Sequence, residues 1–385
     1  MKNIKIYNML MYCLWLALFK IYVIPNSVRQ FIKLACILLI FFFIIKNMRS
    51  KKYWINPVTF FSIVVIISSF AGYNNNYINI DSFIDAIMYG LCLFCANAMI
   101  KYGVDNNKKE VIFNSLFNTM FVYVLFSIVS IAKLGGSDST QLLMYFGGSK
   151  FSTSYYILLF DIMFAIKYKV PHKNRIKFLI LTILTILVCS YIKCSTTVVA
   201  SALLFIFVFN IKSIKRIMIN KKTLLISLLI SAIAMLLIEK ILQNEYVSYF
   251  IMNVLNENVT LTGRLKIYSY LLEIASNSPF LGYGYGNQVI SSIVGYGNAQ
   301  NAIFQLIIQH GYIGLTAFII IFYNAIKNHT EDTLDIFPLY VFIYMMIICS
   351  IVEISFNFMF YTVLLIIYAY NQHMMENRKL NKKEK

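Results

Sequence analysis

The chain has 385 residues, of which 59% are hydrophobic and 13% charged, and a mean hydropathy of +0.70. That leaves too little polar surface to face water at this size, so most of the chain must be dissolved in lipid. The net charge of +18 would suit nucleic acid, but most Lys and Arg residues fall in alternate short loops, where they set orientation and line no groove; no nucleic-acid partner is expected.

Apolar runs of about 17–25 residues, each able to cross a core of roughly 30 Å, recur along the whole length. They predict an all-α polytopic membrane protein of about twelve transmembrane helices, a single membrane domain over 1–385 with no water-soluble segment long enough to bury its own core. The first run, 7–24, follows Lys2 and Lys5 and lacks a small-residue cleavage site, so it reads as an uncleaved first helix. The others fall at 30–45, 57–73, 83–100, 111–132, 152–166, 177–192, 195–211, 223–242, 300–325, 336–352 and 355–371. The connections divide by charge. Lys46, Arg49, Lys51 and Lys52 occupy one, Lys101, Lys108 and Lys109 the next of the same parity, then the 167–177 and 212–222 clusters, and the basic tail from Arg378 to Lys385. The opposite set, 73–81, 135–141 and 243–299, is nearly free of Lys and Arg. This alternation predicts cytoplasmic termini, with the 243–299 loop between helices nine and ten on the extracytoplasmic side of the membrane.

The seven cysteines (Cys13, Cys36, Cys92, Cys95, Cys189, Cys194 and Cys349) lie in or beside apolar runs and read as small core or lipid-facing residues, without a disulfide framework or zinc spacing. Cys92 and Cys95 form a CxxC inside a helix, with no second pair. Most of the 28 Tyr and 32 Phe are lipid-facing or interfacial by expectation. No metal or nucleotide motif is present in the sequence, and no cofactor is expected.

The 243–299 loop is the one extramembrane piece large enough to fold over a site, which makes it the first place to look for function. It contains Gly263 and Arg264, then Ile267, Tyr268, Leu271, Leu272 and Ile274 at helical spacing, and a stop in SNSPFLG, where Pro279 and Gly282 end the helix. Gly282, Gly284 and Gly286 alternate with Tyr283 and Tyr285; such glycines permit a tight turn with positive φ. The stretch from Asn298 to Leu315, NAQNAIFQLIIQHGYIGL, opens the tenth apolar run.

The order TGR, helix, SPFLGYGYGN and then N-A-x-N opening a helix that reaches GYIGL resembles the O-antigen ligase and polymerase superfamily. Within it, the closest similarity is to Wzy-type repeat-unit polymerases of capsule and O-antigen assembly. The detailed match covers 261–315; the helix layout extends it more loosely to the rest. The resemblance implies a membrane glycosyltransferase whose substrate is an oligosaccharide on undecaprenyl pyrophosphate, presented at the outer leaflet. The growing glycan would pass from its lipid pyrophosphate to the terminal sugar of an incoming unit. It also implies a flippase and a chain-length regulator as partners in the same membrane.

Arg264 matches the family's loop arginine, and a guanidinium suits bidentate binding of a leaving pyrophosphate. An interfacial anchor or an ion pair with Glu257 or Glu273 is the plainer alternative. Gln300 and Asn301 match the helix opening that carries His-Asn in the family; Gln cannot take a proton at neutral pH, so Gln300 would orient the acceptor, or a carboxylate would serve as base. His310 lies about 15 Å further along the helix. The nearby carboxylates Glu239, Glu245, Glu257, Glu273 and Glu353 all read as solvated loop charges. Lys193 precedes CSTT where the family often has a Ser-Arg pair, Thr196 filling the Arg position, so Lys193 is the candidate second phosphate-binding cation, or a snorkelling side chain. Gly263, Gly284, Tyr283 and Tyr285 are the remaining candidate substrate contacts. Asp161, mid-run, requires a bundle-interior position and a partner. A lipid-linked oligosaccharide flippase or transporter and an O-antigen ligase are the competing readings; the missing His argues against the ligase.

Overall fold

Helices occupy all twelve predicted segments in the computed structural model, which describes residues 2–136, 143–170, 173–209, 217–242, 264–326 and 336–383, with isolated positions between 243 and 263. In chain order they are α1 (Lys2–Leu18), α2 (Asn26–Asn47), the short α3 (Lys51–Trp54), α4 (Pro57–Asn74), α5 (Ile80–Asp105), α6 (Lys109–Leu134), α7 (Lys150–Lys167), α8 (Arg175–Tyr191), α9 (Ser195–Phe209) and α10 (Lys221–Leu242). Then come α11 (Arg264–Asn277), α12 (Val289–Val294), α13 (Ala302–Ile326), α14 (Phe337–Cys349) and α15 (Phe358–Lys383). Among the described residues the only strand-like pairing is a single bridge, Tyr145 with Gly148.

Asparagine opens several of these helices. The Asn56 side chain accepts from the Val58 and Thr59 amides, with Pro57 in the first turn, and Asn79 accepts from Ser82. Asn357 accepts from Met359 and Phe360 at the start of α15. Each cap satisfies amides that the first helical turn leaves without a partner, which matters most where no water can replace it.

By length and composition α2, α4, α5, α6 and α13 can each cross a membrane; α9, α14 and the part of α1 from Ile4 are shorter apolar helices. Packing sorts them further. In α14 nearly every side chain is buried, as are most in α5, so these form the middle of the bundle with α15 and α4. The periphery instead exposes large apolar groups: Phe31 and Phe42 on α2, Phe121 and Val129 on α6, Leu187 on α8, Leu229 on α10. In water such a belt would drive aggregation; against acyl chains it costs nothing.

Connections of the same parity meet one another. Lys52 before α4, Asp105 ending α5 and Glu376 in α15 form one charged group. At the opposite end, Lys150 bonds the Lys193 carbonyl and Tyr22 the Phe146 carbonyl. The loop-charge reading assigns this second end to the outside, and it is called the outer end below. The α1–α2 connection breaks the expected alternation, however, because Lys20, Arg29 and Lys33 all lie at the outer end.

The described part of the long outer loop, 264–299, packs onto the bundle: Ile267, Tyr268, Leu271 and Ile274 of α11 meet Tyr283, Ile290, Val294 and the α13 residues Phe304 and Ile308. The i, i+4 spacing on α11 supplies one face of this cluster, and the first turns of α13 supply another.

Candidate functional site

The helix α13 is broken. Gly311 adopts φ 63° and ψ −169°, which ends the helical hydrogen bonding after His310. A break at this depth strands carbonyls on one side and amides on the other, and lipid can satisfy neither. The SPFLGYG segment repairs both. Tyr283 N–H donates to the Ile308 carbonyl at 2.8 Å and Gly284 N–H to Gln309 at 2.9 Å. In return, Tyr312 N–H donates to the Pro279 carbonyl at 2.7 Å and Ile313 N–H to Phe280 at 3.3 Å. Glycine is required on both strands of this exchange. A β-carbon on Gly311 would strike the Phe280 carbonyl, and one on Gly282 (φ 66°) would lie 2.6 Å from the Ile308 carbonyl.

The first half of α13 is thereby held at a fixed angle, and its N-terminus becomes one wall of a convergence at the outer end. Asn301, fully buried, caps α13: its Oδ1 accepts from Ile303 and Phe304 at 3.0 Å, and its Nδ2 reaches the Ile351 carbonyl at 3.4 Å. Tyr268 on α11 donates its hydroxyl toward the Gln300 and Ile351 carbonyls, 3.1 and 3.2 Å away. Ala302 N–H donates to the Ser350 carbonyl. Loop, helix start and the 350–357 turn are thus tied at one point.

That turn carries the residue whose setting sequence reasoning misjudged. Glu353 is not a solvated loop charge; it is 5% exposed, within electrostatic reach of Tyr155 on α7, Cys194 before α9 and Cys349. The cause is the length of α14: 13 residues rise about 20 Å, short of a roughly 30 Å core, so the following turn stays at depth. Small polar groups surround it. Ser154 shares bonds with Thr197 (2.8 Å) and Cys194 (3.3 Å), Ser231 bonds Ser350, and Ser355 donates to the Met346 carbonyl.

The remaining predicted residues divide. Arg264 begins α11, one turn before Tyr268; its side chain and the whole of Gly263 lie outside the described residues, as do Glu245, Glu257 and the Glu239 side chain. Gln300 has positive φ (50°), and its amide nitrogen donates to Asn298 at 2.7 Å. Lys193 is exposed on the α8–α9 turn, also at positive φ, next to buried Cys194. Glu273 is exposed on α11, as expected.

Tyr283, Gly284 and Tyr285 are not brought to this convergence. The Tyr283 ring is buried against Tyr77 (centroids 4.9 Å) and its hydroxyl donates to the Ile274 carbonyl, a setting that raises its pKa through burial first and Tyr77 second. Gly284 lies against the α4 backbone at Ser69, and Tyr285 stacks on Tyr89. These three lock the loop to α4 and α5. His310 is buried with its Nδ1 2.7 Å from Ser68 Oγ, and Asp161 is fully buried, accepting from the Thr185 hydroxyl at 2.9 Å. All seven cysteines are free thiols.

The described residues thus form a helical bundle with a loop-braced broken helix and a buried polar turn at one end. Residues 178–319, which run from α8 to α13 and include α11 and the α13 start but not the 350–357 turn, match the family model described as O-antigen ligase. The match supports the O-antigen ligase and polymerase superfamily and, with it, a membrane glycosyltransferase-like role in polysaccharide assembly. No curated protein matches the chain.

Proposed function

We propose that the chain is a repeat-unit polymerase of the cell envelope. It moves a growing glycan from an undecaprenyl-pyrophosphate carrier to the terminal sugar of an incoming lipid-linked unit. The reaction takes place at the outer face of the bacterial inner membrane, with both chain termini in the cytoplasm. The observation that carries this reading is the buried carboxylate Glu353, tied through its turn to Tyr268, the 300–302 helix start and the α8–α9 turn.

The roles follow from the chemistry. Arg264, at the start of α11, binds the donor pyrophosphate, and Lys193 at the rim adds a second cation. The acceptor hydroxyl oxygen forms a bond to the anomeric carbon as that carbon's bond to the pyrophosphate oxygen breaks. The bond's electron pair leaves with the pyrophosphate, where the guanidinium stabilises the developing charge. The hydroxyl proton passes to Glu353, the role that Gln300 cannot fill. Gln300 and Asn301 act by holding the α13 start against the turn. The donor bond supplies the driving force, so no nucleotide takes part, and a flippase and a chain-length regulator are the partners such an enzyme would serve.

A ligase is the second reading, favoured by the description of the matched family itself. One reconstitution separates them. Purified protein in lipid vesicles with lipid-linked repeat units and no nucleotide should give a ladder of repeat-length products. Arg264→Ala should lower it about 10²–10³-fold, and Arg264→Lys should also be impaired. A single transfer to a different lipid acceptor would mean a ligase, and movement of unmodified units between leaflets would mean a transporter.

A further inference from the structure

The α1–α2 connection has no role in the chemistry above, yet it breaks the charge pattern of the whole chain. Lys20, Arg29 and Lys33 line a pocket at the outer end, closed by Gln30, by Asp85 of α5 and by Phe358 at the start of α15. Three cations therefore face one carboxylate, and that carboxylate already accepts from Gln30 at 2.5 Å. Positive charge is disfavoured on the translocated side, and in the membrane it is costly unless a partner offsets it. Aromatic faces take up some of it: Arg29 lies 5.4 Å from the Tyr22 ring centroid and Lys33 5.6 Å from that of Phe358. These contacts leave two net positive charges.

The surroundings say what kind of anion fits. Lys33 is about two turns into α2, and Leu16 of α1, exposed on the bundle surface, lines the same pocket, so an apolar face open to the lipid borders the cations. A lipid-borne phosphate could lay its chain along that face and bring its headgroup to Arg29 and Lys33 from the side. Free phosphate has no use for such a wall. Phe358, which closes the pocket, follows in sequence directly on the 350–357 turn that carries Glu353. From Phe358 the rings run on to Tyr89 and then Tyr285, with centroids 4.7 and 5.0 Å apart.

We propose that Lys20, Arg29 and Lys33 form a second lipid-pyrophosphate site, distinct from the one assigned to Arg264. That its occupant is the second lipid-linked substrate, held while the first reacts, rests on the polymerase reading; the pocket itself does not. A transfer between two carriers needs two pyrophosphates bound at once, and a single cationic site provides for one.

The test counts bound lipid without turnover. Full-length protein in phosphatidylcholine nanodiscs is titrated with geranylgeranyl pyrophosphate and the bound equivalents are read by native mass spectrometry. Wild type should bind two. Arg29→Gln with Lys33→Gln should weaken one of them by about tenfold or more, as expected for the loss of charge-assisted contacts, and leave the other. Asp85→Asn, which removes the negative wall, should keep both, which guards against reading misfolding as lost binding. Arg264→Ala should spare the α1–α2 site, so failure of the catalytic assignment would show there and not here. A single wild-type equivalent lost with the Arg29 and Lys33 changes would keep this site and remove the one assigned to Arg264, whereas one or two equivalents that ignore those changes would overturn the proposal. So would equal competition by phosphatidylglycerol, marking a general phospholipid site, or by inorganic pyrophosphate, marking a headgroup-only one.

Discussion

At the inner end of α5, Asp105 accepts from Lys52 Nζ at 2.8 Å and from the Tyr53 hydroxyl at 2.9 Å, with His373 of α15 at 3.5 Å. Glu376 adds a second carboxylate to Lys52, and Lys101 is held by Gln372 and the Lys52 carbonyl. At the outer end of the same helix Asp85 faces Lys20, Arg29 and Lys33 and is bonded to a neutral amide. The inner cluster pairs its charges and docks α3, α5 and α15 together. The outer cluster gathers charge of one sign beside a turn that buries an acid. The contrast teaches where to look for ligands: in a lipid-embedded protein, structural charge is paired and working charge is left to meet its substrate.

The strongest way to break this contrast is at Glu353. If the outer end does the chemistry, Glu353→Gln should lower polymer formation by about 10²–10⁴-fold, the range for loss of a general base. The near-isosteric amide should leave membrane abundance and the melting temperature close to wild type. A normal ladder from this variant would return the turn to a packing role and leave the outer end without a base.

Next in size is the brace that holds the outer end in shape. Gly311→Ala must place a β-carbon against the Phe280 carbonyl at positive φ, and should cost roughly 1–3 kcal/mol. Thermal unfolding in detergent measures it, and Gly282→Ala should behave alike because the two glycines face each other. An unchanged melting temperature for both would mean that the 279–284 segment does not brace the break.

These two residues also show what was legible in the sequence. Apolar run length located all twelve helical segments, and the alternation of glycine and tyrosine announced the positive φ at 282, 284 and 286. The link from SPFLGYG to Gly311 was not legible, because a glycine inside an apolar run looks the same in a continuous helix. Glu353 was missed for a related reason: a charge between two apolar runs reads as a loop charge. The short apolar stretch before it and its setting in SIVEISFN were the available signals. Asn301 was legible as the opening of a helix. That its oxygen caps α13 while Gln300 bonds Asn298 depends on chain geometry that spacing alone does not carry.

At the inner end, Asp105→Asn should cost roughly 1 kcal/mol, since Lys52 is partly solvated and keeps Glu376, while the ladder forms at the normal rate. A large activity loss at unchanged stability would erase the division between the two ends.

The smallest effect is a pH dependence confined to the inner cluster. Burial works against the Lys52 ammonium, but the hydrogen bond and charge of Asp105, with Glu376, outweigh it and raise its pKa. Tyr53 is also raised, by burial first and by Asp105 second. Both groups are therefore held in their protonated forms by the fold. The stability they contribute is complete below their ordinary values, about pH 10, and is lost as pH rises through the raised ones. Melting temperature in detergent should be flat for this cluster from pH 7 to about 9 and fall above about 10. Asp105→Asn removes one cause of each shift, so its decline should be shallower and should begin from a lower plateau. An equal alkaline decline in wild type and variant would trace the effect to groups elsewhere, and would leave Asp105 as a packing contact without an electrostatic share in holding α3 to the bundle.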